Sequence, residues 1–478
     1  MEACLLSEKH LTCVLPENLA KKYKVVDIGT EAGKLKVGVS GNENFMVMED
    51  IRLAAGKEIV PVIMSEDEIQ SQLENKYIGR KILDIINKVA ASDKEEILEK
   101  LGTELADYVI ELCISLHASD IHIEPFEEYF KIRYRQDGDM YLMSKVENKI
   151  LDRVTSVLKV MAGLDSTEKR LPQDGTMTKR FNDTKYELRI NFLPTIYGEK
   201  IVIRIIYPLR NDMSFQSLGF NEADTDTINN VINRPYGLVI VSGPTGSGKS
   251  TTLSSMLSKL NNGKRNIITV EDPVENKIEG INHVSTNAKT GLSFAVALKA
   301  ILRQDPDVIM IGEIRDEETA SIAVRAALTG HLVISTLHTN DAMSVFPRLI
   351  DMNVEPYLVA STLKGVISQR LIKKLCTKCK QKHIVTKQEA EFYGIDEGTT
   401  IYKPCGCSFC SGTGYKGRMV AYELFEITKS LENELSTSKF DYKVLSDYSS
   451  NIKSLQEDIK AKVIAGYTSL EELDKCMN

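Results

Sequence analysis

The sequence predicts an α/β protein with a doubly wound core on a parallel sheet, two smaller α/β units before it and a cysteine-rich insertion within it. Three observations carry that expectation. Four apolar runs, Leu238–Val241, Ile267–Val270, Val308–Ile311 and Leu332–Ser335, show no alternation with polar residues. Strands buried on both faces of a helix-covered parallel sheet read this way. A glycine-rich segment from Gly243 to Ser250 follows the first run and opens a helical pattern. Of the nine cysteines, Cys376, Cys379, Cys405, Cys407 and Cys410 cluster, while Cys4, Cys13, Cys113 and Cys476 are scattered.

The chain's 478 residues suggest about three domains. At 42% hydrophobic, each can bury a core. The net charge of −7 argues against nucleic acid as the main partner, since such binders carry a basic surplus. No apolar run is long enough to span a bilayer, and the first residues carry no basic, apolar leader. A cytoplasmic protein is expected, with any membrane contact peripheral.

The elements follow in order. Residues 1–75 read as a small α/β domain, with a helix starting near Leu15, the alternating strand Lys34–Val39, a further helix and the strand Ile59–Met64. Residues 76–100 read as a charged helical linker. Residues 101–208 form a middle α/β domain. Its helix runs from about Glu104 to Leu116, its strands are Asp120–Ile123, Phe130–Tyr134, Tyr186–Asn191 and Lys200–Ile206, and an amphipathic helix covers about 148–161. Pro208 to Gly219 reads as a linker. The core occupies 220–430, and 431–478 is a charged helical tail. No internal repeat or low-complexity tract is evident.

Gly243, Pro244, Thr245, Gly246, Ser247, Gly248, Lys249 and Ser250 match the pattern of a phosphate-binding loop, and with Thr251 they are the candidate nucleotide-binding residues. Glycines let the backbone approach anionic oxygens, and the loop N–H groups cradle phosphates. Lys249 would place a charge on the β- and γ-phosphates, and the Ser250 hydroxyl suits Mg²⁺. Leu238–Val241 before the loop, and Leu253, Met256, Leu257 and Leu260 after it, supply the strand and helix that make the match specific.

Three further segments fall at strand ends. Glu313 follows Val308–Ile311 and is the candidate to orient or deprotonate an attacking water. The plain alternative is a helix cap. Gly312 stands where many such enzymes carry a metal-binding Asp, so magnesium would rely more on Ser250 and water. Glu271, Asp272 and Glu275 follow another strand and suit metal or water positioning, or are a solvated acidic turn. His331 and His338 bracket the fourth strand. His338, at the C-terminal edge, is the candidate nucleotide sensor.

These four segments, in this order, resemble the secretion-superfamily ATPases that drive type IV pilus assembly and type II secretion. His117 to Pro125, Arg133 to Gly138, Lys169 to Gly175 and Gly198 to Arg204 extend the resemblance to a PAS-like middle domain. It covers nearly the whole chain. The resemblance implies a RecA-like P-loop NTPase core, ATP as substrate, a homo-hexameric ring and an inner-membrane platform protein as partner. It also implies that Arg189 and Arg204 close onto the nucleotide, where a guanidinium fork can neutralise the γ-phosphoryl oxygens. A surface ion pair is the alternative. Arg133 and Arg135 are secondary candidates.

Cys376 and Cys379 form one C-x₂-C knuckle, and Cys407 and Cys410 another, with 380–406 between them. Four thiolates can close a structural zinc site over the insertion 372–418. Cys405 competes with Cys407, which is favoured because it completes the knuckle. The resembling assembly and secretion motors carry this insertion, and retraction motors typically lack it. Residues 15–75 resemble the second half of the family's amino-terminal domain. Because the longer cyclic di-GMP motif of some members begins further upstream, docking to a cytoplasmic assembly protein is expected instead of that ligand. The expected function is an ATPase motor for type IV pilus extension. A type II secretion or DNA-uptake motor is the alternative. A nucleic-acid translocase and a nucleotide-gated scaffold without catalysis are the rivals.

Overall fold

The computed structural model describes residues 14–31, 33–41, 45–208, 214–437, 448 and 452–477. Cys4 and Cys13, and parts of the expected linker at 209–213 and tail at 438–447, lie outside the described residues. There are two compact units, one built on Met1–Pro208 with Cys407–Gly412 and one on Leu209–Gly406 with Thr413–Asn478. No helix among the described residues is long and apolar enough to cross a membrane.

The first unit opens with β1 (Val26–Glu31), β2 (Lys34–Val39) and β3 (Ile59–Ile63), paired in that order. β1 is absent from the sequence expectation because its register shifts between Asp27 and Gly29, which breaks the alternation. The helix Glu66–Ala91 begins on a capping box, Ser65 with Glu68. Its Ile69, Leu73 and Tyr77 complete the core formed with Leu35, Val37 and Ile51. Its Ile78, Ile82, Ile85 and Val89 enter a second core. Within the stretch 76–100 this helix ends at Ala91 and the next, Glu95–Ser115, begins after Ser92–Lys94. The stretch is not a free linker: the apolar stripe of Glu66–Ala91 serves two cores.

The second core lies under a six-stranded antiparallel sheet. Its strands are β4 (Asp120–Pro125), β5 (Tyr129–Gln136), β6 (Asp139–Glu147), β7 (Gln173–Phe181), β8 (Thr184–Thr195) and β9 (Gly198–Ile206), in the order β6-β5-β4-β9-β8-β7. Burial alternates along β5 and β9. Ile121, Ile132, Ile190 and Ile203 point into the core shared with the helices Glu95–Ser115 and Leu151–Met161. The sequence reading missed β6 and β7, the two sheet edges. In β7 only Met177 is buried, so there is little apolar pattern to read.

The second unit holds β10 (Gly237–Ser242), β11 (Ile267–Glu271), β12 (Asn282–Ser285), β13 (Val308–Ile311), β14 (Leu332–Leu337) and β15 (Leu363–Leu375). They are followed by β16 (Gln381–Ile384), β17 (Thr400–Lys403) and β18 (Tyr415–Glu426). Seven of these form one sheet, β12-β11-β13-β14-β10-β15-β18, parallel except for the last pair. β10, β11, β13 and β14 are buried along their whole length, as continuous apolar runs require. β15 escaped the sequence reading because Lys364, Gln369, Arg370 and Lys373 interrupt it. Lys364, Gln369 and Lys373 are buried nonetheless. β16 and β17 form a hairpin within the insertion. The tail helices Leu455–Ile464 and Leu470–Met477 share a core with the arms of the insertion through Ile372, Ile401, Met419, Ile459, Val463 and Leu473. The end of the chain is a structural part of the second unit.

Candidate active site

The phosphate loop joins β10 to the helix Lys249–Leu260. Gly243 has φ 139°, and a Cβ there would lie 2.3 Å from the Gln369 carbonyl oxygen. Gly248 has φ 87°, and a Cβ there would press on Leu371 at 3.2 Å. Both glycines are thus fixed by close packing against β15 as well as by backbone conformation. Lys249 Nζ donates to the carbonyls of Gly243, at 2.8 Å, and Pro244, at 3.0 Å. Burial lowers its pKa, and the Glu313 carboxylate works the other way. Ser247 Oγ is buried among the loop atoms with no hydrogen-bond partner in the protein, a polar atom suited to a ligand.

A cleft beside the loop is lined by Ser250, Glu271, Asp272, Glu275, His283 and Glu313. In a parallel sheet the carboxyl ends of the strands are where ligands bind. Glu313 follows β13 and is held by Arg315 Nη2, while His338 Nε2 lies 3.6 Å from its other oxygen. The hydrogen bond from Arg315 to Glu313 raises the Arg315 pKa. Glu313 does not cap the next helix, because Asp316 does so by accepting from Thr319 N. His338 is half-exposed, and its pKa is lowered first by burial and next by the Lys249 charge. Gly312, where many such enzymes carry an Asp, is closely packed: a Cβ there would lie 3.3 Å from Glu271 Cα and from the Val270 carbonyl oxygen. The hydroxyl and carboxylate oxygens of Ser250, Glu271 and Glu313 on one cleft fit a hard cation such as Mg²⁺.

His331 lies at the opposite end of β14, where its Nδ1 meets the Ala326 carbonyl at 3.0 Å. It ties down the end of the helix Glu317–Leu328 and takes no part in the cleft.

Two residues of this region were not singled out from the sequence. Gln369 on β15 accepts from Thr252 Oγ1 and donates to the Ser247 carbonyl, both at 2.8 Å, and is fully buried. His283 on β12 contacts Glu271 and Thr269. Neither belongs to a local pattern, and both partners of Gln369 are more than a hundred residues away in sequence.

In the first unit, register places Arg135, Asp120, Arg204 and Arg189 as successive cross-strand partners over β5, β4, β9 and β8. Arg204 Nε donates to Asp120 Oδ1 at 2.9 Å, and Arg135 lies 3.8 Å from its other oxygen. Arg189 Nε lies 3.9 Å from Glu187. Arg133 pairs with Glu124 through two bonds, at 2.8 and 2.9 Å. All four arginines occupy the sheet face opposite the core.

The sulfurs of Cys376, Cys379, Cys407 and Cys410 all lie within 4.8 Å of one another. Gly406 N donates to Cys379 Sγ and Cys407 N to Cys410 Sγ, bonds that favour thiolates. Cys405 is exposed, and its sulfur accepts from Gln381 Nε2. Four soft, converging donors without a carboxylate fit zinc.

A family profile described as "Type II/IV secretion system protein" matches residues 92–475, and one described as "MshEN domain" matches residues 2–81. The chain is 38% identical over 477 residues to the type IV pilus assembly ATPase PilB of Thermus thermophilus, covering 96% of this chain and 54% of that protein. It is 41% identical over 407 residues to type II secretion system protein E of Pectobacterium carotovorum, covering 85% and 81% respectively. The chain therefore spans about half the length of the first relative and about four-fifths of the second. Among solved structures it is similar to the pilus retraction motor PilT with bound ADP, with TM-score 0.55, 26% identity and coverage of 77% of this chain and 95% of that one. The Legionella pneumophila ATPase DotB, at 22% identity, TM-score 0.60 and coverage of 78% and 94%, shares the fold. The chain belongs to the type II/IV secretion system protein family.

Proposed function

We propose that this chain is a P-loop ATPase motor, a ring of identical subunits and by resemblance a hexamer, that powers extension of a type IV pilus. The observation that carries the reading is the meeting on one cleft of Ser250 from the loop, Glu271 from β11 and Glu313 from the end of β13, with Lys249 close enough to feel the Glu313 charge. Lys249 would exchange its two carbonyl acceptors for β- and γ-phosphate oxygens. Glu313 would take the proton of the attacking water, and His338 beside it would sense the γ-phosphate. Arg189 and Arg204 would neutralise charge spreading over the γ-phosphoryl oxygens. The Ser250 hydroxyl would hold Mg²⁺, which when bound neutralises phosphate charge. Cys376, Cys379, Cys407 and Cys410 would hold a structural zinc with no open position.

On this reading the motor works in the cytoplasm at the inner face of the membrane. It acts on a membrane platform protein, and its amino-terminal domain docks a cytoplasmic assembly protein. Phosphate release by the purified chain tests the enzyme: wild type should turn over ATP with Mg²⁺, and Lys249→Ala should not. Metal analysis tests the knuckles, with zinc expected in wild type and Cys405→Ser and lost in Cys407→Ser. A second reading, a type II secretion motor, draws support from relatives of that name matching most of the chain. Deletion of the gene separates the two. Loss of surface pili supports the first, and loss of a secreted enzyme with pili intact supports the second.

A further inference from the structure

We infer that His283 is a positioning residue for hydrolysis: it fixes one oxygen of Glu271 and anchors the acidic loop behind it. The inference rests on the ATPase reading above. β12 is the edge strand of the sheet, and its His283 pairs directly with Thr269 of β11. Thr269 and Glu271 share a face because strand residues two apart do so.

The hydrogen bonds permit a single neutral tautomer. His283 Nε2 accepts from the Ile278 backbone N–H at 3.1 Å, so the ring proton resides on Nδ1. Nδ1 lies 2.8 Å from Thr269 Oγ1 and 3.0 Å from Glu271 Oε1, and donates toward both. The Thr269 hydroxyl then spends its own proton on Glu271 Oε1, at 2.7 Å. Two donors converge on one oxygen, Oε1, of a carboxylate that lines the cleft. The imidazole is nearly buried, with 11% of its side chain exposed.

The two ends of the ring do different work. Nδ1 sets the carboxylate. Nε2 holds the backbone at Ile278, behind the segment that carries Asp272 and Glu275. A side chain with one donor and one acceptor at this spacing can serve both ends, so an amide can replace the imidazole and an alkyl group cannot. Orientation of this kind acts on turnover more than on substrate binding, because it places a group used in the chemical step.

The test is steady-state ATP hydrolysis by the full chain and four variants. His283→Ala should lower kcat by about tenfold or more with KM for ATP within about twofold to threefold. His283→Gln should recover most of that loss. Because His283 works through Glu271, the double variant Glu271→Gln with His283→Ala should be no slower than Glu271→Gln alone. Native kcat in His283→Ala overturns the inference. So does a glutamine variant no better than alanine, or a double variant whose losses multiply. Wild-type protein that releases no phosphate would instead overturn the ATPase reading itself, which separates the two failures.

Discussion

The two large sheets put their charged residues in different places. In the parallel sheet of the second unit, β10, β11, β13 and β14 are buried on both faces. Charge can gather only at the strand ends, and Lys249, Glu271, Glu313 and His338 all lie there. In the antiparallel sheet of the first unit, helices cover one face and burial alternates. Charge occupies the other face, where Arg133 meets Glu124, Arg135 and Arg204 meet Asp120, and Arg189 lies near Glu187. A sheet covered on both sides yields a compact edge site, and a sheet covered on one side yields a broad cationic face. The difference follows from connectivity: parallel strands need crossover helices on both faces, and antiparallel hairpins do not.

The contrast can be broken most severely at the edge. Glu313→Gln should lower phosphate release by about 100- to 1,000-fold while binding of a fluorescent ATP analogue persists. A near-native rate would move the base elsewhere. The next largest effect concerns the face. Arg189→Ala and Arg204→Ala should each cost about 10- to 100-fold in kcat if the face serves the nucleotide. Adjacent like charges on paired strands repel. Arg189→Ala should therefore leave the nucleotide-free Tm unchanged or slightly raised, and a lower Tm with native kcat would make the face structural.

A smaller effect is expected beneath the edge. Gln369→Leu strands the Thr252 hydroxyl and the Ser247 carbonyl, at a cost of about 1–3 kcal/mol each. Thermal melting should show that loss, with weaker nucleotide binding, because the brace joins the loop to β15. The smallest effect is at His338, whose pKa lies below the ordinary value of about 6.5. Its ring is neutral at pH 7 and charges only as pH falls. Since the unfolded chain takes up that proton first, any contribution to stability is full above about pH 6.5 and fades below it. Removing the Lys249 charge should shift the His338 titration upward by NMR, and no shift would mean the two groups are uncoupled.

Local sequence determined the parts whose physics is local. Glycines before Lys249, an apolar strand ahead and a helical stripe behind are enough to make a phosphate loop. The continuous apolar runs named four of the seven strands of the main sheet. The two C-x₂-C knuckles could be read from spacing because each lies within one tight turn. Tertiary structure decided what depends on partners distant in the chain. Gln369 looks like a break in a strand until Thr252 and Ser247 pack against it. His283 is an isolated histidine until register sets it opposite Thr269. Residues 76–100 read as a linker because no local pattern reveals that the helical stripe running up to Ala91 faces two cores. Gly312 looks like a missing ligand until Glu271 Cα is seen 3.3 Å from where a Cβ would stand. In each case a polar or small residue is explained by an atom that another segment brings near, and sequence order does not encode that nearness.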